Sequence, residues 1–213
     1  MRAREYVATG SVLLGAAALL HHVGRTWGAS PAERRMPLPG DGIVPHPFGS
    51  TTHAVDVDAP PERVWPWIVQ MGYHRAGWYT PDWVDHWIWR IDNPSADRVV
   101  PELQHLAVGD IVPDGEPGTA FYTVAQLEPA RVLVLRSDSH VPVPLRPVMR
   151  VLWTWAFVLQ PREEGRRTRL LLRARATGSL TAGLMWHLMV VPSDFVMARS
   201  MLHGIRDRAQ RTG

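Results

Sequence analysis

Between Arg167 and Ala176 two kinds of side chain alternate: Arg167, Arg169, Arg173 and Arg175 fall on one set of positions, and Leu170, Leu172, Ala174 and Ala176 on the other. A period of two marks a strand with two unlike faces. One face must be buried and the other reads as a solvated row of charge. Past this strand the period changes. Phe195, Ala198, Leu202, Ile205 and Ala209 recur three and four apart, a single stripe along one long helix. Ser193 stands where a cap would, and Arg206, Arg208 and Arg211 complement the negative end of the helix dipole. An apolar strand face and an apolar helical stripe each need a partner, so the terminal helix is expected to lie across a sheet.

The rest of that sheet is legible upstream. Thr52 to Asp58 alternates, with His53, Val55 and Val57 on one face, as a half-buried strand does. Ala120 to Leu127 and Arg131 to Arg136 flank Glu128-Pro129-Ala130, a hairpin connection. Leu152 to Gln160 is apolar on both faces, with Trp153, Trp155, Phe157 and Leu159 on one and Leu152, Ala156 and Val158 on the other. Such a strand needs cover on both sides. Between the first strand and the others, Ala59-Pro60-Pro61-Glu62 opens a short helix carrying Val64, Trp65, Ile68 and Met71, with Pro66 as a kink and an end near Gly72. Thr80-Pro81-Asp82 opens a second helix with Trp83, Val84, Trp87, Ile88 and Ile91 on its apolar side. Strand, two short helices, a run of antiparallel strands and one long helix is the helix-grip order. The expected class is α+β: a curved antiparallel sheet closed by the C-terminal helix around an apolar cavity.

This domain occupies residues 51–213. Residues 25–50 read as an extended arm, because Pro31, Pro37, Pro39, Pro45 and Pro47 with Gly40, Gly42 and Gly49 forbid a long helix or a central strand. Such an arm either tethers the domain or packs along its surface. Residues 1–24 form a hydrophobic N-terminal segment: Arg2, Arg4 and Glu5 precede an uncharged run from Tyr6 to Leu20 that continues through His21, His22, Val23 and Gly24. Its readings are a membrane anchor, a cleaved signal peptide or a soluble helix packed on the domain. An anchor makes the protein membrane-associated; otherwise it is expected in the cytoplasm. The apolar stretch from Leu180 to Val191 offers a second membrane-facing surface, or a loop over the cavity mouth.

Composition excludes some chemistry. The 213 residues include no cysteine, which removes disulfides, thiolate metal ligands and a cysteine nucleophile. All 23 basic residues are arginine, and the net charge is only +3. They are scattered rather than gathered into a basic face, so nucleic acid is not an expected partner.

Several segments resemble the SRPBCC superfamily, the START-like and polyketide-cyclase-like helix-grip proteins, within a poorly characterised bacterial branch. They are Arg25-Thr26-Trp27-Gly28-Ala29 with Pro39-Gly40-Asp41, Asp58-Ala59-Pro60-Pro61 through Val64 to Gly72, Arg75-Ala76-Gly77-Trp78-Tyr79, Ala96 to Pro101 with Gly109-Asp110, and Met197 to Leu202. The resemblance implies the fold and a cavity, and names no catalytic residues, since one fold hosts many activities. The expected function is binding or carriage of a hydrophobic small molecule or lipid. A cyclase or dehydratase acting on a polyketide-like substrate and a protein-interaction module with a filled core are the alternatives. Trp78, Tyr79, Trp83, Tyr122, Arg136, Trp155 and Met201 are the candidate ligand contacts. Arg136 either ends its strand in solvent or reaches inward to select an acidic ligand head. Asp82 and His86, four apart on the second short helix, are the candidate proton-transfer pair. No metal or cofactor is expected; joining His74 to that pair gives no recognisable ligand spacing.

Overall fold

The computed structural model describes residues 15, 18–81, 83 and 94–211. Six strands form one antiparallel sheet: β1 Gly49–Val57, β2 Ile111–Pro113, β3 Phe121–Glu128, β4 Val132–Ser137, β5 Val151–Arg162 and β6 Arg167–Gly178. Their order is β1-β6-β5-β4-β3-β2. The first strand therefore pairs with the last, Val55 against Leu170 and Val57 against Thr168. An irregularity at Ala125, between Val124 and Gln126, bends β3.

Short helices precede β2 and a long helical run follows β6. The short α1, Pro31–Arg35, lies in the arm, and α2, Pro61–Val69, follows β1. Proline supports the start of α2, and Val64, Trp67 and Ile68 are buried even though Pro66 sits inside it. After β6 the chain is helical almost to its end, through α3 Leu180–Met185, a wide π-helical turn Trp186–Val190, and α4 Val191–Arg211. On α4 the stripe Ala198, Met201, Leu202, Ile205 and Ala209 is fully buried. It packs with Leu170, Leu172, Ala174 and Ala176 of β6 and Trp155, Phe157 and Leu159 of β5. By length and composition the run Leu180–Arg211 could cross a membrane, but its apolar stripe is already spent on the sheet.

Ser193 does not cap this helix. Ser179 does, its hydroxyl accepting the Ala182 N–H, and the helix starts at Leu180. Pro192 explains the irregular turn before α4: it has no N–H to donate, and its ring crowds the carbonyl four residues back. The wide turn absorbs that mismatch. The Ser193 hydroxyl instead lies 2.8 and 3.1 Å from the Met189 and Val190 carbonyls.

The arginine row of β6 is the second departure from expectation. It is not a solvated face, because the arm lies on it. Arg173 is only 3% exposed. Its guanidinium donates to the Glu33, Arg34 and Met36 carbonyls, to the Thr52 hydroxyl, and to the Asp41 carboxylate at 2.8 Å. Arg169 grips Glu33 through Nε at 2.8 Å and Nη2 at 3.0 Å, and Arg175 reaches the Val44 and Pro45 carbonyls. A segment rich in proline and glycine has many carbonyls without a ladder partner, and the arginine row supplies their donors. Apolar contacts complete the layer: Leu38 packs on Ala54, Val158 and Leu171, and Ile43 on Val132, Val134 and Ala156. The arm then turns around the open edge of β1, where the Ala54 N–H donates to the Trp27 carbonyl. Gly28, at φ +72°, passes so close to the Ala54 carbonyl that a Cβ would collide with it.

Residues 18–26 are helical and pack on the C-terminal helix; the rings of His21 and His187 are 5.4 Å apart, and Gly24 faces Val191 and Phe195. Most of the expected second short helix, including Asp82 and His86, lies outside the described residues.

Candidate functional site

β5 and β3 turn aromatic side chains toward the concave side of the sheet, and there they enclose a cavity of about 840 Å³. Trp153 and Trp155 of β5, Tyr122 of β3 and Trp78 from the loop after α2 wall it. Tyr122 and Trp155 stack at 5.4 Å with 15° between their planes, while Trp78 meets Trp155 edge to face at 5.7 Å. The indole N–H groups of Trp78, Trp153 and Trp155 are buried without an acceptor. They sit amid edge-to-face aromatic contacts, where Trp153 also meets Trp186 at 5.1 Å. The opposite wall comes from the wide helical turn and the start of α4: Met185, Leu188, Met189, Val190, Pro192, Asp194, Val196 and Met197. The loop Val141–Val143 with Arg146 completes the mouth.

That mouth is apolar and exposed. Leu188 and Met189 are 66% and 61% exposed and Val143 54%, and Leu180, Leu184 and Val148 lie bare on the same two segments. From Leu180 to Ser193 the chain carries no acidic or arginine side chain. Large exposed apolar residues gathered on neighbouring segments are uncommon on a protein that meets only water.

Two polar clusters interrupt the apolar lining. In the first, Asp114 Oδ2 lies 2.8 Å from His140 Nε2, and His140 Nδ1 lies 2.7 Å from the Ser137 hydroxyl. The His140 ring also rests on Tyr122, 4.5 Å away. In the second, Asp194 is 4% exposed, accepts the Thr51 hydroxyl at 3.2 Å and stands 3.5 Å from Nε2 of the fully buried His53. Burial, together with the charges of Asp114 and Asp194, pushes the Tyr122 hydroxyl well above its ordinary pKa. Tyr122 therefore stays protonated, with two carboxylates near enough to act on it.

Of the residues singled out from the sequence, Trp78, Tyr122 and Trp155 line this cavity. Tyr79 does not. Its hydroxyl donates to the Trp67 carbonyl at 2.9 Å and accepts from Gln70 at 2.8 Å, and Arg208 covers its ring at 4.7 Å. Adjacent residues of a loop send Trp78 inward and Tyr79 into a structural network. Met201 is fully buried beneath the sheet rather than on the cavity wall, and Trp83 is 55% exposed. Arg136 points out, half exposed and 4.0 Å from Asp138, because its position on β4 alternates away from the inward Leu133 and Leu135. The polar residues at the cavity, Asp114, His140 and Asp194, carried no spacing signal. Asp114 and His140 come from separate strand ends.

No family model matches the sequence, and no curated protein matches it. Solved structures with a similar fold include a hypothetical protein from Helicobacter pylori, 13% identical, covering 81% of this chain and 94% of its own, with a TM-score of 0.47. A polyketide-cyclase-like protein from Corynebacterium glutamicum is 17% identical over 79% of this chain and 93% of its own, TM-score 0.35. The protein CalU16 from Micromonospora echinospora is 18% identical over 78% and 88%, TM-score 0.35. The strand order and the terminal helix define the architecture here. It is a helix-grip fold.

Proposed function

We propose that this protein binds and carries an apolar small molecule in the cavity between the sheet and the C-terminal helix. The observation that supports this reading is a cavity of about 840 Å³ walled by Trp78, Tyr122, Trp153 and Trp155. That size suits one small-molecule ligand, and aromatic walls give it contact area without polar cost. The tryptophans wall the cavity instead of filling it, which leaves the interaction-module reading without its main support. The bare apolar mouth favours loading from a lipid surface, and residues 1–24 would hold the mouth there. Trp78, Tyr122 and Trp155 are the proposed contacts. The test is native mass spectrometry of the full chain, then organic extraction, then titration of the emptied protein with naphthalene. A co-purifying apolar compound or saturable naphthalene binding is expected. A chain of unaltered mass that also takes up no naphthalene would sink the reading.

A second reading, proton-transfer chemistry on a polyketide-like substrate, draws on one observation: the chain Asp114–His140–Ser137 runs along the cavity wall beside Tyr122. A carboxylate oriented by an imidazole can act as a base where a ligand meets it.

A further inference from the structure

Thirteen large apolar side chains are exposed among the described residues, and ten of them fall in three short stretches: three in 19–23, three in 143–148 and four in 180–189. The fold brings these stretches together at the cavity mouth. Val141 and Met149, which bracket the second, pack on Ala182 of the third. The His21 ring of the first stands against His187 of the third. Leu180, Leu184 and Leu188 recur four apart and are exposed as one stripe, whereas Ala182 and Trp186 between them are buried. A helical segment whose leucines face out has its apolar partner outside the chain.

The charge around this face has one sign. The chain has 20 acidic residues, and none lies in 18–32, 139–162 or 179–193. Each acid that borders those stretches has a partner of its own: Glu33 has Arg169, Asp138 has Arg136, Glu163 has Arg167, and Asp194 has Thr51 and His53. Arg146 and Arg150, both exposed, flank the bare Val148. An apolar surface rimmed by arginine and free of carboxylate complements an anionic lipid surface. Pairing of this face with a second copy would bring like charges into one interface.

We infer that this face docks on a bilayer containing anionic lipid, with Leu180, Leu184, Leu188 and Val148 entering the acyl boundary and Arg146 and Arg150 at headgroup level. The inference rests on the carrier reading for its purpose and deepens it by naming the surface toward which the cavity opens. The uncharged run from Tyr6 to Leu20 joins the chain at the same face, so an anchor there and the mouth address one bilayer.

The chain has no cysteine, which makes site-specific labelling of the full protein direct. Leu184→Cys, Val148→Cys and, at the opposite end of β5, Arg166→Cys each carry one environment-sensitive NBD fluorophore. They are mixed with vesicles of phosphatidylcholine, or of phosphatidylcholine and phosphatidylglycerol in equal parts. The labels at Leu184 and Val148 brighten and shift to shorter wavelength, and the label at Arg166 does not. Because the label reports its own surroundings, it tells docking of this face from tethering through residues 1–24. An arginine at an anionic surface is worth about fivefold in affinity, so the mixed vesicles half-saturate the signal at about 25-fold lower lipid, and Arg150→Gln reduces that ratio to about fivefold. Silence at Leu184 and Val148, an equal response at Arg166, or no preference for the anionic vesicles overturns the inference. So does a shift without vesicles that grows with protein concentration, which would mean that a second copy covers the face. Naphthalene titration without vesicles tests the carrier reading by itself, so failure of one is told from failure of the other.

Discussion

Replacing Arg173 by alanine probes the least expected feature of the fold, the arm held on the sheet by a buried arginine. The guanidinium makes five hydrogen bonds, three to arm carbonyls, one to Asp41 and one to Thr52. Removing one partner of a buried charge pair costs about 3–5 kcal/mol, since the other charge stays behind unpaired. Asp41 retains Arg175 at 3.5 Å, which softens the loss, whereas the carbonyls of Glu33, Arg34 and Met36 lose their donor. About 4 kcal/mol is the resulting figure. At roughly 2–4 °C per kcal/mol for a chain of this size, the melting temperature drops by about 8–16 °C. Circular dichroism measures that drop, and trypsin reports its location, because Arg34 and Arg35 become cleavable once the arm lifts. The matched control is Arg136→Ala on the exposed side of β4, worth less than about 0.5 kcal/mol. If Arg173→Ala melts with the control and resists trypsin as the parent does, the row is a solvated face after all and the clasp is wrong.

Two other perturbations have signs that follow from the same contacts. The Arg169 hydrogen bonds hold the Glu33 carboxyl at about 2, below its ordinary 4.5. A lowered folded pKa contributes stability that is complete above pH 4.5 and is lost as pH falls toward 2. After allowance for solvent screening this is about 1–2 kcal/mol, so Glu33→Gln flattens the acid limb of a pH-stability curve; an unchanged limb contradicts the pairing. Gly204→Ala would ordinarily strengthen a helix by about 1 kcal/mol, yet a Cβ at Gly204 would collide with the Tyr79 carbonyl. The substitution is therefore expected to lower the melting temperature, and a rise would show that α4 does not press on Tyr79.

Parity along the strands made much of this fold legible. Trp153, Trp155, Phe157 and Leu159 share a face in sequence and in structure, and Trp155 reaches the cavity for that reason. Parity could not say what covers the other face. The arm has no period of its own, and its acids Glu33 and Asp41 meet arginines more than 130 residues away. A hint was present on the neighbouring strand, where Ala156 and Val158 sit beside the arginine row and require dry cover. Asp194 was hidden by a misplaced helix start: next to a supposed cap at Ser193 it looks like an acid complementing a dipole. With the helix opening at Leu180, it is a mid-helix carboxylate with no such role, and it faces β1 and the cavity. Asp114 and His140 are 26 apart in the chain and meet only because two strand ends converge.

The clasp between arm and sheet also sets an order of assembly. Residues 25–50 leave the ribosome early, but the arginines they need belong to the last strand, 136 positions later for Glu33 and Arg169. Until that strand emerges, the arm has nothing to dock on, and its carbonyls are served by water. Such long-range closure is slow relative to local contacts. The nascent chain thus carries its outermost layer from the beginning and fits it last, after the sheet beneath has formed.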